Sequence, residues 1–202
     1  MISDMGATPV RRPGRPRDAR ADEAILEASA AVLAEYGPAG FTVDAVAARA
    51  GCGKATIYRR WPSRAHLMLE TTQQAGIHVE DPDTGSVADD LVAILTVLAQ
   101  KMLHSDVGRL TAATMAEAAV NPATRDLYAE FVAERREIPR SVLARGVERG
   151  ELAADTDVDL VLDLLSGPIF VRGFMTQAPV DEVLLRRSVD YVLDGVRART
   201  PT

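Results

Sequence analysis

Apolar residues recur along most of the chain at intervals of three and four, which is the spacing of amphipathic helices. No segment shows the strict alternation of apolar and polar residues that marks a half-buried strand. The first apolar stripe predicts a helix over 18–36, which ends where Gly37 and Pro38 interrupt the pattern. The pattern therefore predicts an all-α protein.

Local signals divide the region that follows into three short helices. Thr42 and Ser63 are residue types that cap a helix N-terminus, and Gly51 favours a helix end. Pro62 disfavours helical geometry at the residue before it. These signals predict helices over 43–50, 54–60 and 64–77.

The loop sequence "EDPDTGS", at 80–86, separates this region from a second set of apolar stripes. They bring the predicted total to about nine helices, with a kink where Pro139 interrupts the longest one. The five additional helices are predicted over 87–104, 109–119, 124–149, 157–175 and 181–199. The predicted organisation is a disordered basic arm (1–17), a helix-turn-helix domain (18–64), a connecting helix (65–79) and a C-terminal helical domain for ligand binding and dimerisation (80–202).

Composition narrows the class of protein. Hydrophobic residues make up 47% of the chain and charged residues 26%, which is ordinary for a folded soluble protein. The first residues lack the apolar run of a signal peptide, and the most apolar segment, 158–175, contains three charges. We therefore expect a cytoplasmic protein without membrane contact. The single Cys52 excludes an intrachain disulfide, and no cluster has metal-ligand spacing, so we expect no metal and no cofactor.

The net charge of −6 is unevenly distributed. Residues 1–70 contain ten basic and eight acidic side chains, whereas the remainder contains thirteen and twenty-one. The basic residues of the first part crowd into 11–20 and 54–64. A local basic surface on an acidic protein favours a nucleic-acid-binding face, although two solvated charged patches would give the same composition.

A helix, a tight glycine turn and a short second helix form the layout of a helix-turn-helix, whose second helix enters the major groove of DNA. At about 100° per residue, Ile57 and Trp61 mark the inner side of that second helix. The opposite side carries Ala55, Thr56 and Arg59.

The residue types on this helix suit contacts to DNA. Arg59 can donate two hydrogen bonds to guanine, a contact that discriminates by roughly 1–3 kcal/mol. Thr56 can contact a base edge or a thymine methyl group, and Ala55 is small enough to allow close approach. The residues that suit phosphate oxygens are Lys54, Tyr58, Arg60, Ser63 and Arg64, with Thr42 at the start of the preceding helix.

The segment "FTVDAVAARAGCGKATIYRRWPSRAHLMLE", residues 41–70, closely resembles the DNA-binding domain of the tetracycline-repressor (TetR) family of bacterial transcription regulators. The preceding "LAEYGPAGFT" fits the same family. Gly53 departs from the family pattern, in which many members have a helix-capping serine. The resemblance implies phosphate contacts by Thr42, Lys54, Tyr58, Trp61 and Arg64, and a groove-lining role for Ala55, Thr56 and Arg59.

The N-terminal segment "RRPGRPR", at 11–17, resembles the core of an AT-hook. Its Gly-Arg-Pro sequence favours an extended chain, and Arg15 and Arg17 are placed to enter a narrow A·T-rich minor groove. The alternative is a solvated tail that adds only nonspecific attraction to DNA.

A single helix-turn-helix contacts few base pairs, so a homodimer on a palindromic operator in double-stranded DNA is expected. The last two predicted helices suit a four-helix interface. The alternative is that both helices bury their apolar residues in their own domain. The residues predicted at the interface are Val161, Leu165, Ile169, Leu185, Val189, Val192 and Val196.

The family resemblance also implies a pocket for an unknown small-molecule effector in the C-terminal domain. Core packing is the alternative for each candidate, and Arg172 requires a partner such as Asp163 or an anionic ligand. The candidate pocket residues are Met102, His104, Met115, Phe131, Phe170, Arg172 and Phe174.

The function that the sequence favours is a ligand-responsive transcriptional repressor. One alternative is a regulator of the same family without a small-molecule ligand, acting as an activator or under the control of another protein. A nonspecific nucleoid protein fits poorly because the acidic C-terminal half would repel DNA. An enzyme is not expected, since the sequence contains no nucleophile elbow and no glycine-rich phosphate loop.

Overall fold

The computed structural model describes residues 19–74 and 79–197. Within these two ranges the chain is helical and contains no strand, which confirms the all-α class. The ten α-helices are α1 (Ala19–Gly40), α2 (Val43–Ala50), α3 (Lys54–Tyr58), α4 (Arg64–Gln74), α5 (Val87–His104), α6 (Asp106–Val120), α7 (Pro122–Arg135), α8 (Glu137–Glu148), α9 (Val158–Phe170) and α10 (Glu182–Val196). A π-helical segment, Val171–Thr176, continues α9.

Most helix boundaries follow the predictions, and the differences have local causes. The backbone of α1 leaves helical geometry at Gly37, with φ 67°, as the sequence indicates. The helix predicted over 124–149 is wrong as a single element, because α7 and α8 meet at Arg136. Pro139 lies in the first turn of α8, where its missing N–H removes no intrahelical hydrogen bond. The helix predicted over 157–175 becomes α9 and the π-helical segment.

Helices α1 to α4 enclose one hydrophobic core. Its centre includes Phe41, Ile57 and Trp61, all buried, and α4 contributes Leu67 and Met68. Leu110 of α6 also belongs to this core. The predicted connecting helix is therefore part of the N-terminal unit, and that unit packs directly on the C-terminal one.

Helices α5 and α8 to α10 form the second core, with α5 at its centre. The side chains of α5 that face α8, α9 and α10 are almost all buried. At the far end of the chain an isolated antiparallel bridge joins Leu152 to Arg197, and the N–H of Ala153 donates to the carbonyl of Val196 at 2.9 Å. These bonds attach the end of α10 to the loop before α9.

Three predicted segments fall outside the described residues. They are the arm over 1–17, with Arg15 and Arg17, the end of the helix predicted to Ile77, and the last residues of the helix predicted to Arg199.

Candidate DNA-binding interface

Two caps fix α2 and the turn that follows it. The hydroxyl of Thr42 accepts a hydrogen bond from the N–H of Ala45 at 3.1 Å, which satisfies one free donor of the first turn. Gly51 closes the helix in the left-handed conformation, with φ 64°, which favours glycine. The next N–H, that of Cys52, donates to the carbonyl of Ala47 at 3.0 Å. This turn sets the direction in which α3 leaves α2.

The short helix α3 presents one side to the core and the other to solvent. Ile57 is fully buried and Trp61, just after the helix, is 4% exposed. Tyr58 is 48% exposed, and Arg59 continues the helical geometry with φ −66°. The exposed or half-buried residues on the outer side are Lys54, Ala55, Thr56, Tyr58 and Arg59. The helix ends at Tyr58, two residues earlier than predicted. Thr42, at the start of α2, is also exposed.

The ammonium group of Lys54 lies 2.6 Å from the carboxylate of Asp44 on α2, and both side chains are mostly exposed. The hydrogen bond to this carboxylate raises the pKa of Lys54, so the side chain is positively charged at neutral pH. The first residue of α3 therefore carries a cation on the surface, held by a neighbouring helix.

Four other residues predicted to contact phosphates instead form contacts within the protein. Arg60 forms an ion pair with Asp22 of α1 and is largely buried. Arg64 donates to the carbonyls of Phe41 and Pro38 and pairs with a carboxylate of α6. The hydroxyl of Ser63 accepts from the N–H of His66 and lies 2.8 Å from its Nδ1 atom. Trp61 is buried in the hydrophobic core of the N-terminal helices. The partners of both arginines are remote in sequence, which is why the local pattern did not find them.

A cavity of about 400 Å³ lies in the C-terminal unit, bounded by α5, α7, α8 and α9 and by Gln73 of α4. Among the predicted pocket residues, Met102, Phe131 and Phe170 line it. Its wall also includes Tyr128, whose ring stacks on Phe131 with centroids 5.9 Å apart. Burial raises the pKa of Tyr128 to about 12, so its hydroxyl stays protonated at neutral pH.

The remaining predicted pocket residues lie elsewhere. His104, Arg172 and Phe174 line a second, more open cavity of about 690 Å³ at the end of α5, which also reaches Met102. Met115 lines neither cavity. Arg172 donates to the carbonyl of Pro179 at 3.0 Å, and its suggested partner Asp163 instead pairs with Arg136. The residues predicted to line one pocket are therefore divided between two cavities, except for Met115.

The residues predicted at a dimer interface lie in or against the core of their own protomer. Five of them (Val161, Leu165, Ile169, Leu185 and Val189) are at most 2% exposed and form the core of their own protomer. Val192 and Val196 are partly buried against the same core. The structure therefore agrees with burial of these residues in their own domain.

The exposed faces of α9, the π-helical segment and α10 carry a different set of apolar residues. Their spacing of four, seven or eight residues, which is close to one or two helical turns, places them on one side of each helix. We call this set the outer apolar face, and it consists of Leu160, Leu164, Val171, Met175, Val183 and Tyr191. On α10 the guanidinium of Arg187 lies 5.7 Å from the ring centroid of Tyr191 and donates to its hydroxyl at 3.1 Å.

Among the described residues, no group of three His, Cys, Asp or Glu side chains is arranged to hold a metal ion. In the same part of the chain no single helix is long and apolar enough to cross a membrane. Within residues 19–74 and 79–197, the one pair of helices that meets the length and composition criteria together is α5 with α6, across a bend of 82°.

The exposed α3, set on α2 by a glycine turn and supported by α1 and α4, defines a helix-turn-helix DNA-binding protein with a separate helical C-terminal unit. Comparison with known families agrees. Residues 25–71 match the model of bacterial regulatory proteins of the tetR family, and residues 81–192 match the tetracyclin repressor-like C-terminal domain. The chain belongs to the TetR family of transcription regulators.

Two curated relatives span nearly all of the chain. The uncharacterized HTH-type transcriptional regulator YdeS of Bacillus subtilis is 34% identical over 191 residues, which cover 94% of this chain and 96% of YdeS. The DNA-binding transcriptional repressor TetR of Mycobacteroides abscessus is 32% identical over 178 residues, which cover 84% of this chain and 90% of that protein. DNA-binding regulation is thus the general function of these relatives.

Solved structures show the same fold. The TetR family regulator SCO0332 superposes with a TM-score of 0.72 at 28% identity and covers 88% of this chain and 98% of its own. The transcriptional regulator FadR from Bacillus subtilis, in complex with stearoyl-CoA, superposes with a TM-score of 0.66 at 19% identity. That comparison covers 87% of this chain and 100% of FadR.

Proposed function

We propose that this protein is a dimeric repressor that binds a palindromic operator and releases it when a small molecule enters the 400 Å³ cavity. It would act in the cytoplasm, on double-stranded DNA. The observation that carries the proposal is the exposed outer side of α3, with Arg59 and Thr56 presented above a buried Ile57. The name of the Mycobacteroides relative, a repressor, supports the direction of control.

The residues of the helix-turn-helix divide into two roles in this proposal. Ala55, Thr56 and Arg59 contact base edges in the major groove, because they share the outer side of α3. Lys54, Tyr58 and Thr42 contact phosphates, which position the helix without specifying sequence.

The outer apolar face supports a homodimer. Leu160 and Leu164 are 53% and 52% exposed in the protomer, and a partner helix would remove them from water. Gly167 lies in the same helix, and a side chain there would meet nothing within 4 Å in its own protomer. The absence of a side chain lets another backbone approach closely. Two copies of α9 and α10 would form a four-helix interface and hold two α3 helices about one DNA turn apart.

The cavity supports a small-molecule effector with a mainly apolar body. Most of its lining residues are aliphatic or aromatic, and its polar lining includes Gln73, whose amide donates to the carboxylate of Glu134 at 2.7 Å. A volume of about 400 Å³ is in the range of natural ligand sites. The structural relative FadR was solved with stearoyl-CoA, which shows that this fold accommodates a ligand with a long apolar portion in that protein.

An effector in this cavity would meet both units of the protein. Gln73 belongs to α4, which packs in the DNA-binding unit, whereas Tyr128 and Phe131 belong to α7. Release of DNA requires that the effector bind the released arrangement better than the DNA-bound one, since a ligand with equal affinity for both shifts nothing.

Selection from a random duplex library tests the DNA-binding part of the proposal. The purified full chain should enrich a palindrome with half-sites about one helical turn apart. Arg59→Ala should lose preference at defined positions of each half-site. The control Arg140→Ala, on α8 in the C-terminal unit, should enrich the same palindrome as the unmodified chain. Recovery of A·T-rich sequences without symmetry would contradict the proposal.

Thermal unfolding with a panel of apolar acids, lipids and aromatic metabolites tests the effector part. A ligand of the cavity should raise the unfolding temperature and lower operator affinity in the same concentration range. Leu95→Trp, which adds bulk inside the cavity, should abolish both effects. If no compound of the panel shifts the unfolding temperature of a protein that does bind its operator, the alternative of a regulator without a small-molecule ligand is favoured.

A further inference from the structure

One guanidinium group joins three elements at the boundary between the two units. Arg64, the first residue of α4, donates from Nε to the carbonyl of Phe41 at 2.8 Å and from Nη2 to the carbonyl of Pro38 at 3.0 Å. Pro38 lies in the last turn of α1, and Phe41 directly follows that helix and leads into α2. The third nitrogen, Nη1, donates to the carboxylate of Glu117 on α6 at 3.2 Å. Arg64 therefore attaches α4, the start of α2 and α6 to one another.

The carboxylate of Glu117 on α6 also accepts a hydrogen bond from α7. The second oxygen of Glu117 accepts a hydrogen bond at 3.3 Å from the hydroxyl of Thr124, a buried residue of α7. Two helical turns earlier on α6, Leu110 packs into the core of the DNA-binding unit. The two units thus meet along one side of α6, through an apolar contact at Leu110 and a polar contact at Glu117.

These contacts differ from a phosphate-binding site in their chemistry. All three nitrogens of Arg64 already donate to oxygens of the protein, and the guanidinium lies 6.0 Å from the ring centroid of the buried Phe41. Thr42 directly follows Phe41 and caps α2, so Arg64 acts on the orientation of α2 and α3 through the backbone. Lysine could not replace these bonds, since an ammonium group lacks the planar fork that reaches three acceptors.

We propose that Arg64 and Glu117 are positioning residues that fix α3 relative to the C-terminal unit and thereby set the half-site spacing that the dimer accepts. The inference rests on the proposed function, because spacing has a meaning only for a dimer on a palindrome. It gives Arg64 a role within the protein in place of the phosphate contact that the sequence predicts.

An operator series with one base pair removed from or added to its centre tests the inference. The unmodified chain should bind the altered spacings more weakly by about tenfold or more, and Arg64→Lys and Glu117→Gln should reduce that difference to less than about threefold. The dependence of affinity on salt should stay unchanged in both variants, because no phosphate contact is lost. Arg140→Lys makes the same chemical change at an ion pair with Asp159 on the C-terminal unit and should keep the full spacing preference.

Two results would overturn the inference. One is an unchanged spacing preference in Glu117→Gln, which keeps a hydrogen-bond acceptor and is therefore the variant best able to fold. The other is a salt dependence in Arg64→Ala whose logarithmic slope falls by about two, as expected for the loss of one phosphate contact from each protomer. If the unmodified chain binds no palindrome, the proposed function fails and this inference fails with it. A palindrome bound with the same affinity by all variants at all spacings removes only the inference.

Discussion

The ammonium group of Lys54 lies 2.6 Å from the carboxylate of Asp44, so the first residue of α3 is paired with α2. Both side chains are exposed, which makes the pair weak and easily exchanged in water. Binding to a phosphate requires Lys54 to leave a carboxylate of its own protein. If Lys54 contacts a phosphate as proposed, Asp44 competes with DNA for this cation.

Removal of that competition should strengthen DNA binding. Asp44→Asn is expected to raise the affinity for operator and for nonspecific duplex by about threefold, the range of an exposed ion pair. Glu148→Gln, on α8, removes the same charge from the C-terminal unit and is the control. The measurement is fluorescence anisotropy at fixed salt. An equal gain in both variants would assign the effect to net charge, and a loss in Asp44→Asn would show that Asp44 orients Lys54 productively.

Substitution of the adjacent residues Arg59 and Arg60 should affect different properties, DNA recognition in one case and folding stability in the other. Arg60→Ala leaves the partly buried Asp22 without its ion-pair partner and should lower the free energy of unfolding by about 1–3 kcal/mol. Arg59→Ala should change stability by less than about 0.5 kcal/mol and weaken specific binding by roughly 1–3 kcal/mol at each half-site. Urea unfolding and operator titration of both variants check this. The opposite pattern would exchange the roles of the two residues.

The two sides of α9 should respond differently to substitution. Leu164→Glu places a charge on the outer apolar face and should yield a folded monomer in sedimentation velocity. Leu165→Ala, one residue later and 1% exposed, should keep the dimer but lower the free energy of unfolding by about 2–5 kcal/mol. A Leu164→Glu protein that remains dimeric would indicate that the interface lies on another surface.

The ion pair between Asp81, in the loop between α4 and α5, and Arg145 should make part of the free energy of unfolding depend on pH. Asp81 accepts two hydrogen bonds from Arg145 on α8, and these bonds hold the pKa of its carboxyl below the ordinary value. A lowered pKa in the folded state stabilises the protein above the ordinary pKa, and that contribution is lost as the pH falls through the folded value.

Asp81→Asn should therefore lower the free energy of unfolding near neutral pH. The difference from the unmodified chain should shrink below about pH 4, because the carboxyl of the unmodified chain then becomes protonated as well. Denaturant unfolding across this range measures the effect, with Glu148→Gln as the control. A difference that stays constant over the whole range would show that the ion pair does not set the pKa.

Local signals were sufficient for much of the fold. The structure gives α2 and α5 the predicted bounds, because Thr42 and Ser86 cap them with side chains that lie next to the helices they start. The break between α7 and α8 was misplaced at Pro139. Whether a proline lies inside a helix or in its first turn depends on where the helix begins, and the junction at Arg136 carries no residue that marks a boundary.

The candidate site was predictable where helical periodicity alone decides exposure. Ile57 is buried and Arg59 exposed, as the spacing indicates. Arg60 and Arg64 were not predictable in this way, because their partners come from α1 and α6. On α9 both sides are apolar, as Leu164 and Leu165 show, so hydrophobicity could not distinguish the core from a surface suited to a partner.

Leu110 has a consequence for how regulators of this kind can be recombined. It is a residue of the C-terminal unit, yet it completes the core beneath α3. A chimera that cuts between α4 and α5 and adds a foreign sensor would leave a gap in this core unless the grafted α6 supplied an equivalent leucine and a carboxylate for Arg64. The natural unit of exchange is therefore a discontinuous one, in which residues 19–74 travel together with the matching side of α6.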